Sequence, residues 1–335
     1  MTAVPTTLES PSSDASAPRR RVGRRPSASR LLFFAVFLGV PLLVYIVFVV
    51  SPFLQAFYYS LTSWRGVSGN ADFIGLDNYR TIFADPVYRK ALANNLLLMI
   101  ILPTVTITLA FILAVMVTIG GDSRGEIRGI KGASIYRVVS FFPYVLPAVV
   151  IGILFAFIYS PNGGLLNGVL NLPVGLLNQL GADIDPIGLA WLGERRFALA
   201  AIIAAVVWSL VGFYMVLFVA AIKAIPSETI EAARLDGAGR ARLAFQVVLP
   251  QIRENVSTAV VYMGIMALDM FVYISVMTPS GGIGKSTEVV SRYLYETAFA
   301  RSQFGLASAM GVVLALVTML MAVVVLFASR SKEDR

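Results

Sequence analysis

The 335-residue chain is 57% hydrophobic and only 14% charged, with a mean hydropathy of +0.78, which is too apolar for a water-soluble domain. It contains neither histidine nor cysteine, which excludes imidazole bases, Ser-His-Asp triads, thiolate nucleophiles and His/Cys zinc sites. The formal charge of +8 would suggest nucleic acid for a soluble protein; in a membrane chain it reflects basic cytoplasmic loops, so no nucleic-acid partner is expected.

Residues 1–30 are Ser-, Pro- and Ala-rich and then Arg-rich, a composition that cannot build a core, and read as a disordered basic tail. The apolar run that follows continues to about Tyr59, longer than a cleavable signal segment, and reads as an uncleaved first span. A hydrocarbon layer about 30 Å thick needs roughly 20 apolar helical residues. Six segments qualify, near 31–57, 93–119, 134–159, 198–222, 256–278 and 306–328. Pro41, Pro103, Pro143 and Pro147 lie in spans expected to kink. With the N-terminus inside, the tail (six), 120–137 (four), 223–255 (five) and the C-terminus (three) hold 18 of the 27 Lys and Arg. That bias places both termini, including the short tail 331–335, and the 223–255 connection in the cytoplasm. Tyr58, Tyr59, Trp64, Trp191, Tyr293 and Tyr295 fall near span ends, where amphipathic rings sit at the interface.

The 223–255 connection contains EAARLDGAGRARLAFQVVLP, a charged stretch between two apolar spans. Pro226 stops the preceding helix, Ser227 is placed to cap a new one, and Glu228 and Glu231 suit its positive end. Gly237 permits a sharp turn, after which a second short helix is expected to run until Pro250. Ile230, Ala233, Leu243 and Phe245 are apolar residues that two short surface helices cannot bury unaided.

Asp269 is a carboxylate well inside the 256–278 span; it reads as a hydrogen-bonded or path-lining group, since a lone acid without histidine makes a poor proton relay. GGIGKST at 281–287 ends like a phosphate-binding loop, but the position that must be glycine is Pro279 and no strand precedes it. Nucleotide binding on this chain is therefore not expected. NVS at 255–257 matches a glycosylation sequon by chance, on the cytoplasmic side.

The pattern Glu231, Ala232, Ala233, Gly237, Val247, Leu249, Pro250 resembles the EAA signature of the membrane subunits of bacterial ABC importers, with Val247 where isoleucine is more usual. FIGLDNYRTIF (73–83), YRVVSFFPYVLPAVVIGILFAFIYSPNGGLLN (136–167), KAIPSETIEAARLDGAG (223–239) and STEVVSRYLYETAF (286–299) are similar to stretches of the maltose-type sugar permeases, in order and spacing. The resemblance implies an all-α integral membrane fold of the type I importer class, with a permease domain over 31–330. It implies a coupling helix in which Glu231, Ala232, Ala233, Asp236 and Gly237 contact a separate ATPase that carries the ATP and magnesium. It also implies a second homologous permease, two ATP-binding subunits, an extracytoplasmic solute-binding protein and a bacterial plasma-membrane location, with lipid around the spans. Tyr144 matches a sugar-facing tyrosine of that family and Trp208 a tryptophan. Val206, Ala267 and Met270 stand where that family is polar, so the detailed sugar site is not carried over. No catalytic residue, metal site or cofactor is expected on this chain. A secondary transporter or channel is the alternative, although one six-span bundle is less than the two related bundles many such proteins carry.

Overall fold

The computed structural model of the chain describes residues 32–66, 71–119, 130 and 132–330. The expected tail 1–30, most of the 120–137 connection and residues 331–335 lie outside them. Chain contacts divide the protein into two units, 1–53 and 54–335. Residues Leu32–Tyr59 form helix α1, whose most apolar window is entirely unburied. A helix whose apolar side chains are exposed on every side is suited to lipid.

In the second unit the helices are α2 (Asp77–Ala84), α3 (Pro86–Ile119), α4 (Ala133–Val145), α5 (Ala148–Ile158), α6 (Leu165–Leu170), α7 (Leu172–Gln179) and α8 (Ala198–Lys223). They continue as α9 (Ser227–Leu235), α10 (240–251), α11 (Arg253–Leu268), α12 (Phe271–Met277), α13 (Val290–Tyr295, extended by Glu296–Ala300) and α14 (Phe304–Arg330). Among the described residues the extended structure is an isolated antiparallel bridge between Thr62 and Phe73. Helix α3 packs on α8 and α11, α8 on α4, α11 on α14, and α5 on α12. Leu98, Phe111, Ile202, Met215, Phe218, Met263 and Ile274 belong to the shared core.

Helix α3 begins seven residues before the expected span. Asp85 accepts the Val87 amide at 2.8 Å and Pro86 takes the first helical position, where a missing N–H costs nothing. The helix then runs unbroken through Pro103. Four helices, α1, α3, α8 and α14, are long and apolar enough to cross a bilayer, or six if each of two bent pairs counts as one span.

Those bends correct two expected spans. Across 134–159 the chain turns by 99° between α4 and α5 rather than merely kinking. Leu146 precedes a proline and takes extended backbone (φ −75°, ψ 136°), and Pro147 has no amide with which to continue α4. Across 256–278 the chain bends by 46° between α11 and α12. There Asp269 (φ −103°, ψ 65°) leaves the helical region without any proline or glycine to announce it.

Gly212 sets the approach of α8 to α4. A Cβ there would fall onto the carbonyl of Ser140 and the amide of Phe141, so the two backbones meet directly. Gly212→Val is expected to separate α4 from α8 and destabilise the fold by about 2 kcal/mol or more; a thermal unfolding midpoint equal to that of the parent protein in detergent would contradict this packing.

Candidate functional site

The α9–α10 unit projects a polar face while tying itself to the bundle by its other side. Ile230 is 0% exposed, and Leu243, Ala244 and Val248 are buried in the same core. Two of the four residues expected to need an outside partner, Ile230 and Leu243, are therefore buried by the protein itself, whereas Phe245 stays exposed and leans toward Phe111 at 5.9 Å. A guanidinium nitrogen of Arg234 donates to the carbonyl of Ile119 at 3.4 Å, placing a cation at the negative end of α3.

The cap differs from expectation: Pro226 occupies the capping position and Ser227 is the first helical residue. Pro250 does not end α10 but lies inside it, and the break comes at Ile252 (φ −100°, ψ 15°). The turn itself explains the spacing between Ala233 and Gly237. The Ala238 amide donates to the Ala233 carbonyl and the Gly237 amide to that of Arg234, both at 3.0 Å, with Gly237 left-handed at φ +79°. This is the paired closure that ends a helix on a left-handed residue. A Cβ at Gly237 would meet nothing, so dihedral angle rather than space demands glycine.

Of the residues expected to form a contact, Glu231, Ala232, Asp236 and Gly237 are exposed and Ala233 is half-buried. Glu228, Glu231, Ala232 and Leu235 recur at helical spacing and share one face. Leu235, 89% exposed, was missed by sequence reasoning, although its place four residues after Glu231 was the available signal.

The second group of candidates lies at the α4–α5 bend, on α8 and at the α11–α12 break. Tyr144, next to the α4–α5 bend, is 41% exposed and stacks on Phe213 at 4.5 Å. Trp208 is also 41% exposed and meets Phe155 edge-on at 5.3 Å. Asp269 is exposed at the α11–α12 break. Among the described residues no hydrogen bond or ring contact joins these three. Val206, Ala267 and Met270 are buried in the core.

What holds the second break is a pair of amides that sequence reasoning overlooked. Asn95 donates to the Leu268 carbonyl at 3.1 Å and accepts from the Val290 amide at 2.8 Å; Asn94 donates to the carbonyls of Ser286 and Glu288 at 3.0 and 2.8 Å. Two adjacent asparagines at the start of a predicted span were the visible clue.

The glycine-lysine run 281–287 has no phosphate-loop geometry. Gly281, Gly282, Gly284 and Lys285 all have positive φ, and the Lys285 ammonium pairs with Glu288 at 3.2 Å and Glu296 at 3.5 Å. Buried Glu288 also accepts a bidentate fork from Arg292, whose remaining nitrogen reaches the Pro279 carbonyl at 3.0 Å. Arg292 donates to Glu296 at 2.8 Å, Arg301 donates to Glu296 at 2.5 Å, and Tyr293 donates to Asp85 at 2.5 Å. Burial would raise the Glu296 carboxyl, but hydrogen bonds from Arg301 and Arg292, with the Lys285 charge, outweigh it and lower its pKa from 4.5 to about 2.

Straight and bent apolar helices, four to six of them long enough to cross a bilayer, frame the charged α9–α10 unit between α8 and α11. Residues 125–333 match the family described as the inner membrane component of binding-protein-dependent transport systems, and the chain belongs to that family. It is 48% identical to a diacetylchitobiose uptake system permease of Streptomyces coelicolor, over 96% of this chain and 88% of that one. It is 29% identical to a multiple sugar-binding transport system permease of Streptococcus mutans, over 89% and 95%. In fold it matches a chain of a bacterial ABC transporter involved in alginate import, with a TM-score of 0.72, 21% identity, and 90% and 96% coverage.

The lowered Glu296 pKa fixes a pH dependence. Its ion pairs contribute fully above about 4.5 and are lost as pH falls toward about 2. Glu296→Gln is expected to lower the unfolding midpoint by the same amount from pH 7 to 5, with the difference closing at more acid pH. A deficit that persists unchanged at pH 2 would refute the assignment.

Proposed function

We propose that the chain is the membrane-spanning subunit of an ATP-driven importer that moves a sugar across the bacterial plasma membrane by alternating access. Each bent pair counts as one span, giving six, with both termini and the α9–α10 unit in the cytoplasm; the Lys and Arg bias supports that orientation. The observation that carries the reading is the division of α9 into a buried side, held by Ile230, and an exposed side of Glu228, Glu231, Ala232 and Leu235. An apolar knob ringed by carboxylates suits a cleft with a greasy floor and basic rim on a partner ATPase. Movement of such a partner would pass through α9 to the end of α3, which Arg234 meets, and to the shared core, in which Ile230 is buried.

ATP and magnesium belong to that partner. A second homologous permease completes the path, two ATP-binding subunits drive it, and an extracytoplasmic solute-binding protein delivers the solute. Tyr144 beside the α4–α5 bend and Trp208 on α8, both partly exposed, are the rings offered to a sugar, with Asp269 as a hydrogen-bonding group on the path. The relatives make an acetylated amino-sugar disaccharide the first ligand to try.

Three outcomes check this reading. Leu235→Asp and Gly237→Pro are expected to insert normally but to lose at least about tenfold in co-purified ATPase, while Gly237→Asn, which tolerates positive φ, retains it. Normal co-purification with both disruptive variants would refute the coupling role. Asp269→Asn is expected to leave uptake dependent on ATP and indifferent to a pH gradient. Sugar uptake at full rate by the purified chain alone in vesicles would instead establish a secondary transporter.

A further inference from the structure

A polar hollow beside α9 has no part in the contacts described so far. It encloses about 400 Å³ where the end of α3, the start of α4 and the α8–α9 junction meet, and it is lined by Thr118, Arg137, Lys223 and Ser227 among apolar neighbours. No carboxylate is among the described residues that line it. Arg137 is half-buried, and its Nε donates to the Ala133 carbonyl of its own helix at 3.1 Å, which fixes the guanidinium while leaving its two terminal amino groups without a protein acceptor among the described residues. Lys223 ends α8 and forms no ion pair among the described residues. Two cations in one concavity, with no counter-charge among the described residues that line it, suit an anion.

Arg137 also borders a second hollow, an open furrow of about 520 Å³. Its walls are Val138, Phe141, Phe142, Val145 and Val216, with Ser134 at the margin. The basic cup and the apolar furrow are thus joined at one arginine, the shape of a molecule with an anionic head and a hydrocarbon tail.

We propose that this flank of α4 and α8 binds an anionic phospholipid, its phosphate between Arg137 and Lys223 and an acyl chain along Phe141, Phe142 and Val145. A soluble phosphate would fill the cup and leave the furrow bare, and a second permease would cover the furrow without bringing the anion that the cations require. Charge complementarity and the continuity of cup with furrow favour the lipid. The inference rests on the proposed topology only in setting the cup at the bilayer surface. Because Lys223 and Ser227 flank the chain where it enters α9, a bound head group braces the base of the coupling unit.

The purified full chain in neutral detergent is titrated with phosphatidylglycerol or phosphatidylcholine, and retained lipid is read by native mass spectrometry. Phosphatidylglycerol is expected to bind more tightly, weakening about fivefold for each of Arg137→Gln and Lys223→Gln and recovering in Lys223→Arg. Phe142→Ser is expected to weaken retention of the long-chain lipid without affecting a short-chain analogue. Should Arg137→Gln fail to fold, the exposed Lys223 carries the test alone. Equal retention of the two lipids, or undiminished phosphatidylglycerol binding in the Lys223→Gln variant, overturns the proposal. Competition by inorganic phosphate at equal concentration would assign the cup to a soluble anion, and loss of a co-expressed second permease with lipid binding unchanged would assign the furrow to a subunit interface. Both overturn it. ATPase co-purification is scored on the same variants, so a failure here is separable from a failure of the coupling reading.

Discussion

Asn95 does the work that lets a helix break inside an apolar bundle. The α11–α12 break frees the carbonyl of Leu268, and a backbone oxygen left unpaired at that depth costs about 1–3 kcal/mol. One buried amide answers that oxygen and the amide of Val290 at the start of α13 together, and Asn94 next to it holds the carbonyls of Ser286 and Glu288. Segments nearly 200 residues apart in sequence are thereby fixed to the first turns of α3. The exposure of Asp269 depends on this arrangement, because an intact helix would give that residue no reason to leave the helical region.

The opposite end of α3 is managed by other means. There the helix terminates against Arg234, and the α9–α10 unit is anchored by a few aliphatic side chains rather than by buried amides. Ile230, Leu243 and Val248 give this unit a footing, and the left-handed glycine closure between Ala233 and Gly237 sets the angle at which α10 returns. Such a unit rests on its base through aliphatic packing, with its helix-to-helix angle fixed by the glycine closure.

Much of this was legible in the sequence. The apolar helices α1, α3, α8 and α14 fall on four of the apolar runs, and the turn at Gly237 follows from the residue type most at ease with positive φ. The bend at Pro147 was foreseeable in kind but not in size, because proline removes a bond locally while the 99° comes from the packing of α5 on α12. The break at Asp269 was not legible, since its cause is the remote side chain of Asn95. Leu235 shows a further limit: hydrophobicity suggests burial, and only the disposition of Ile230 toward the core reveals that Leu235 faces away. The candidate rings Tyr144 and Trp208 could be picked as polar-edged aromatics within spans, whereas their separate packing partners, Phe213 and Phe155, belong to tertiary structure.

The web built on Glu288, Arg292 and Glu296 has a further consequence. Its positive groups, Lys285, Arg292 and Arg301, are balanced by Glu288, Glu296 and Asp85, and its centre is buried. Counter-ions in solution reach such a centre poorly, whereas the carboxylates of α9 stand within their range. Concentrated electrolyte should therefore leave the rim near α13 rigid while loosening whatever α9 touches, so that ionic strength acts on the molecule at one pole only.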